Sequence, residues 1–383
     1  MTLSHHTHHF GVSVFNPSSR RAFSRQLAGL AAVVIVLASC GKDITAPAVA
    51  PGFLGGTSAN HEIGLVVNST GKSFTMYQIG SPATQQQIPL GTSSTVTPVG
   101  FSVRGRRAAV PLGNAASVAL INLETAVIQR FFTFASGNAT GSAFFDDTTI
   151  FAANTRQNKV GRFTSGQASD SILTLVSVAA YPTAIAMAGG RVLVISANLD
   201  ANYAPLGNGV VTAIDPRTMV ILGTATTGGT NSTGAAVGPD GLLYVLNTGN
   251  WVGQGSMTVI NPATMAVVKT VPNMGVGPGA ISIDANGLAY ISGFYVGTLV
   301  WNTKTGAFVR GTDNPICAKL PTGACRGAFG AATNAAGDIH QVFFGSASKG
   351  LAPYVFVFKA GAYALSDSIA VGTGPASIAI RTF

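Results

Sequence analysis

The chain has 383 residues, of which 47% are hydrophobic and 9% charged, and its formal net charge is +9. The basic residues are scattered, clustering only at Arg104-Gly105-Arg106-Arg107, and this argues against a nucleic-acid groove, which needs far denser Lys and Arg. Low charge, 47 glycines and abundant Val, Ile, Thr and Ala suit many short strands joined by tight turns, and all-β folds of this length often form one domain.

The first element is an address. Ser19-Arg20-Arg21-Ala22-Phe23-Ser24-Arg25 precedes an apolar run from Leu27 to Ala38, which exits through Leu37-Ala38-Ser39-Cys40-Gly41. A basic segment, a short apolar run and a small-residue exit describe an export signal over 1–39, and the run is too short to span a bilayer. Without Arg20, Arg21 and Arg25 the net charge falls from +9 to +6. Leu37-Ala38-Ser39-Cys40 resembles the bacterial lipobox, whose Cys becomes the lipidated first residue, so Cys40 is the expected lipidation site. Ser19–Phe23 also resembles a twin-arginine export signal, and the same residues fit an ordinary secretory segment. Residues 40–61, rich in Ala, Pro, Gly and Thr without a strand period, read as a flexible lipidated tether. The expected location is the bacterial cell envelope, on the periplasmic or the outer surface, with the membrane as a partner through the anchor.

From residue 62 a phrase recurs about every 45 residues. Its fullest copy runs Gly238-Pro239-Asp240-Gly241-Leu242-Leu243-Tyr244-Val245-Leu246-Asn247, then Met257–Thr264, then Val267–Val271. With an apolar strand before it, this unit is four strands, the signature of a β-propeller blade. Seven units align, so the fold is read as all-β, a seven-bladed β-propeller over 62–383. The first unit, from Glu62, lacks an inner strand, and Gly374-Pro375-Ala376-Ser377-Ile378-Ala379-Ile380 matches the inner strands elsewhere. The C-terminus is therefore expected to close blade 1, which removes the open edges. Asp215 and Asn261, each before Pro with Thr two residues further on, read as turn starters that bond their own backbone. Asn68, Asn154, Asn198 and Asn247 are expected to do the same.

Tyr244-Val245-Leu246-Asn247 and Val259-Ile260-Asn261-Pro262-Ala263-Thr264, with copies such as Ile195-Ser196-Ala197-Asn198 and Ala213-Ile214-Asp215-Pro216-Arg217-Thr218, resemble the YVTN-type propeller repeat. The resemblance covers nearly all of the chain past residue 60. It implies a secreted or surface protein and supplies no catalytic residues.

In each blade the turns between first and second and between third and fourth strands share one face. The second-to-third loops and the crossovers to the next blade share the other. Sorted this way, every sizeable insertion is expected on the second face, in blades 4 to 6: Asn198–Gly209, Asn247–Gly255 and Gly311–Arg326. These loops carry Tyr203, Asn250, Trp251, Lys319 and Arg326, with Tyr295 near the same rim. Exposed aromatics beside amides and cations suit a glycan, a peptide or an envelope protein, and equally suit loop packing. Cys317 and Cys325, within one insertion of an exported chain, read as a disulfide. Asn198-x-Asp200-x-Asn202 has calcium-loop spacing but one acid and no Gly at the sixth position, so no metal is expected. No cofactor is expected either.

The reading is a non-catalytic binding or scaffold module. Past the signal there are two histidines, His61 and His340, and two glutamates, Glu62 and Glu124, so little acid–base chemistry is on offer. The alternative is a lactonase-like hydrolase or lyase working at the channel mouth through His340. The lipobox carries its own test: Cys40→Ser should release the protein from membranes and abolish acyl labelling, and unlabelled wild-type protein that still fractionates with membranes would sink the anchor.

Overall fold

The computed structural model describes residues 53–54 and 61–383. The expected export signal, Cys40 and all but three residues of the tether lie outside the described residues. Seven four-stranded antiparallel sheets follow one another along the chain. Blade 5 illustrates the unit: Ser232–Val237 innermost, then Leu243–Asn247, Ser256–Asn261 and Ala266–Val271. Blade 1 comprises Pro375–Thr382, Glu62–Asn68, Ser73–Gln78 and Ser81–Pro89, so the C-terminal strand supplies its inner strand as expected. The pairing runs antiparallel from Glu62 opposite Thr382 to Asn68 opposite Pro375.

The core is divided among seven seams, one between each pair of neighbouring blades. Leu243 and Val245 face blade 4, joining Leu193, Ile195 and Val211, while Tyr244 and Leu246 face blade 6, joining Ala289, Ile291 and Trp301. Side chains alternate across a strand, and both faces of every blade are covered, so the middle strands read as unbroken apolar runs. The closing seam between blades 7 and 1 holds Val66, Tyr77, Val342, Val355, Val357 and Ile369. Leu54 and Phe53, two residues of the expected tether, pack into the seam between blades 1 and 2.

His340 belongs to this closing seam and not to the channel mouth, which corrects the geometry on which the enzyme alternative stood. It lies on the second strand of blade 7, is 97% buried by its 3% exposure, and its Nδ1 is 2.8 Å from the Tyr77 hydroxyl of blade 1. Tyr77 in turn lies across Gly64, where a Cβ would come within 2.1 Å of the ring, so only glycine fits beneath it.

The turn expectations hold in part. The side-chain oxygen of Asp215 accepts from Arg217 and Thr218 N–H, and that of Asn261 from Ala263 and Thr264 N–H. Three of the strand-end asparagines differ, Asn198 donating across its loop to the Asn208 carbonyl and the other two lying inside their sheets. Asn247 donates to Ser256 Oγ and Thr258 Oγ1 and accepts from Ser232 Oγ, and Asn68 donates to Ser73 Oγ and Thr75 Oγ1. They are buried cross-strand hubs, because a carboxamide inside a sheet has no solvent and must find side-chain partners. A crossover glycine packs on each, Gly229 on Asn247 and Gly372 on Asn68, and Gly137 packs on Asn154 in the same way.

The expectation that the turn face is bare also needs correcting. In blade 3 the loop 165–173 joins Lys159–Thr164 to Thr174–Ser177 on that face, buries Ile172 and is held by Arg130 of blade 2 through Asp170 and the Gln167 carbonyl. On the opposite face, long segments occur outside blades 4 to 6 as well, at 90–101 between blades 1 and 2 and at 344–353 in blade 7.

Two predictions follow from the closure. Deleting residues 374–383 removes one strand and exposes two edges; the truncated protein should be insoluble or melt far below the full chain, and an unchanged melting temperature would reject the closure. Burial pulls the His340 pKa down to about 4 from 6.5, so the folded chain refuses a proton that the unfolded chain accepts. Stability at the seam is therefore complete above pH 6.5 and falls as the pH drops toward 4, by on the order of 3 kcal/mol. Urea denaturation across this range should show the fall, and His340→Gln should flatten it.

Candidate functional site

Seven inner strands of small residues surround a central channel. At the end formed by the crossovers and second-to-third loops it opens into a cavity of about 530 Å³, lined mainly by small residues of the inner strands, together with Ile185, Ile281 and Ile378, and by Phe101, Phe294, Phe329 and Phe344. The close approach explains the glycines. A Cβ at Gly141 would lie 2.9 Å from Ala184 Cα, and one at Gly234 would lie 3.0 Å from the Gly279 carbonyl oxygen. The opposite end is a cavity of about 310 Å³ bearing Arg104 and Arg381. Thus one end of the channel is uncharged and aromatic, and the other is basic.

Hydroxyls tie the inner strands together. Thr140 and Thr155 both donate to the Pro182 carbonyl of the next blade, at 3.0 and 2.8 Å, and Thr248 donates to the Pro278 carbonyl at 2.7 Å. Thr183 donates to the Ser232 carbonyl at 3.0 Å, and Ser282 to the Ala331 carbonyl at 2.7 Å. Each of these bonds crosses a seam, so the channel wall is itself part of what holds the blades in register.

An aromatic arc runs from the outer rim into the wider cavity. Trp251 lies 5.2 Å from Phe294, Phe294 4.5 Å from Phe329, and Phe329 4.8 Å from Phe344, measured between ring centroids. Two inner-strand glycine positions make room for it: a Cβ at Gly279 would meet the Phe294 ring at 2.6 Å, and one at Gly374 the Phe344 ring at 2.9 Å. Tyr295 and Trp251 flank Gly277, whose added Cβ would touch both rings, and the two side chains are 62% and 41% exposed.

The six residues expected to bind fall into different settings. Trp251 and Tyr295 share the outer end of the arc. Tyr203 forms a separate edge-to-face pair with Tyr181, 5.6 Å away. Trp251, Tyr203 and Tyr181 all have left-handed backbone, with φ of 68°, 65° and 57°. That conformation costs a non-glycine residue roughly 1–2 kcal/mol. Asn250 turns inward, its Oδ1 accepting from Val252 and Gly253 N–H. Lys319 Nζ lies 3.2 Å from Cys325 Sγ. Arg326 stacks its guanidinium over Phe343 and Phe356 at 5.0 and 5.5 Å, with Nε buried, and so fastens the long crossover to blade 7. The Cys317–Cys325 disulfide is present in that crossover. Its flank is also paired to blade 6, where Ile316 and Thr298 exchange two backbone hydrogen bonds of 2.9 Å.

Asp200 of the calcium-like spacing is used by its own loop, accepting from Asn202 and Ala204 N–H. Phe329, Phe344 and the channel hydroxyls escaped the sequence reading. The available signal was positional: Thr140, Thr183 and Thr233 occupy matching places at the starts of inner strands.

No family model matches the chain, and no curated protein matches it. Solved structures do. A functionally unknown protein from Desulfotomaculum acetoxidans is similar at a TM-score of 0.60 and 15% identity, covering 83% of this chain and 98% of that one. Hydrazine synthase from Kuenenia stuttgartiensis is similar at a TM-score of 0.58 and 12% identity, covering 76% of this chain and 97% of that one. At such identities the likeness concerns the fold alone, and it agrees with the seven blades.

Proposed function

We propose that this chain is a binding module of the bacterial envelope, tethered through a lipid on Cys40, which recognises a glycan, a peptide or an envelope protein on the crossover face of blades 4 to 6. In this reading its blades are YVTN-type repeats, and its partner-binding surface centres on Trp251. One observation carries the proposal: the exposed Trp251–Tyr295 pair is continuous, through Phe294 and Phe329, with the mouth of an uncharged cavity of about 530 Å³. A rigid scaffold presenting aromatic anchors beside a cavity is the usual anatomy of a recognition site.

The hydrolase or lyase alternative gains nothing from His340, whose Nδ1 is engaged by Tyr77 at the closing seam. Among the described residues no group of three or more His, Cys, Asp or Glu is arranged to hold a metal ion.

Trp251→Ala should weaken partner binding by about 2 kcal/mol, roughly thirtyfold, with little change in melting temperature. Asp240→Ala and Lys304→Ala, in the turns of the opposite face, should leave affinity unchanged. Hydrogen-exchange protection confined to that opposite face, with 198–209 and 247–255 unprotected, would overturn the assignment.

A further inference from the structure

We propose that the cavity at the aromatic end of the channel binds a neutral saccharide, one sugar ring entering the channel between the phenylalanine arc and the inner-strand hydroxyls. This rests on the binding-module reading above and gives its ligand a chemical class. Three features of the wall converge on it.

The first is charge. None of the residues lining the cavity is ionisable, whereas Arg104 and Arg381 stand at the other end of the channel. A charged group brought into this space would lose water without gaining a counter-ion, a cost of several kcal/mol in a low-dielectric site. A neutral ligand meets no such cost.

The second is the polarity of the hydrogen-bonding groups. Thr183 and Ser282 donate their protons to carbonyls across the seams, and the single proton of Thr140 is shared between the Pro182 carbonyl and Thr155 Oγ1, so these hydroxyls offer the cavity lone pairs. Ser69 and Ser377 also line the cavity, and their hydroxyls make no side-chain hydrogen bond among the described residues. The wall is therefore rich in acceptors, with two hydroxyls able to act either way. It suits a ligand that brings several donors of its own, as the hydroxyls of a sugar do.

The third is the apolar surface. Phe294, Phe329 and Phe344 occupy one sector of the mouth, and Phe101 lies on the wall as well. An aromatic face carries partial negative charge, and the C–H groups on one face of a pyranose ring are weakly positive, so the two stack. Trp251 and Tyr295 lie further out along the same arc, where the next sugar of a chain would sit.

The test uses the full folded chain and three neutral disaccharides, cellobiose, maltose and N,N′-diacetylchitobiose, with digalacturonate as a charged control of similar size. Trp301 is buried, so a saturable change in tryptophan emission reports Trp251. At least one neutral disaccharide should give such a change and digalacturonate none. Ser377→Phe, which fills the cavity from its wall, should weaken binding about tenfold or more, and Ser377→Ala should weaken it a few-fold while keeping the melting temperature. Absence of a response to all three neutral sugars at about 10 mM, or tight binding of digalacturonate, overturns the proposal. So does binding that survives both Ser377 substitutions. If the sugars fail while an envelope peptide still protects 247–255 from hydrogen exchange, the saccharide falls and the binding module stands. A footprint on the opposite face removes both.

Discussion

Everything in this molecule depends on the antiparallel pairing of the last strand with the first. Residues 375–382 lie beside 62–68 and complete blade 1, and through blade 1 the seam with blade 7. Without that strand a ring of seven blades becomes an open row with a three-stranded sheet at one end. The channel would lose one wall, and with it Ser377 and Ile378. The Tyr77–His340 bond sits at the same seam, so the ring is closed by two independent means, a backbone ladder and a buried side-chain pair. The candidate site is thus a product of closure, because no single blade contains it.

Closure also dictates the chemistry of the wall. Seven inner strands converge on one axis, and Gly, Ala, Ser and Thr give them room to approach at the closest points. Several of the hydroxyls in and beside these strands find partners across the seams, at the carbonyls of Pro182, Ser232, Pro278 and Ala331. Two of these donors, Thr183 and Ser282, also line the cavity. Outside this wall, Asn68 and Asn247 play a comparable part within single blades, joining strands through buried carboxamides. Polar groups that find their partners on neighbouring strands favour one arrangement, since a slip of register would leave them unpaired.

On this scaffold the two faces differ in kind. Turns on one face are closed mostly by Asx side chains bonding their own backbone, with the stitched loop 165–173 as an addition. The other face carries aromatic side chains at 251, 294, 295, 329 and 344, drawn from three loops and a crossover in blades 5 to 7. Arg326 holds that crossover against blade 7 and the Cys317–Cys325 bridge closes a loop within it, and neither lines the cavity itself.

Much of the fold was legible in the sequence. Repetition of an apolar four-strand phrase revealed the blades, and a missing inner strand at Glu62 with a spare one at Gly374 revealed the closure. Turn chemistry at Asp215 and Asn261 was legible because Asx turns are local. The roles of His340, Arg326 and the buried asparagines were not, because each is set by a partner on another strand or blade: Tyr77, Phe343 and Thr258 lie far away along the chain or across a loop. The loop aromatics could be named from sequence, yet their joining into one arc with Phe329 and Phe344 could not. By itself the sequence determined the repeat, its count and the strand that completes it, since these follow from local periodicity. Only the tertiary structure decided which side chains meet at the channel, because ring closure brings together residues from every blade at a point that no local pattern encodes.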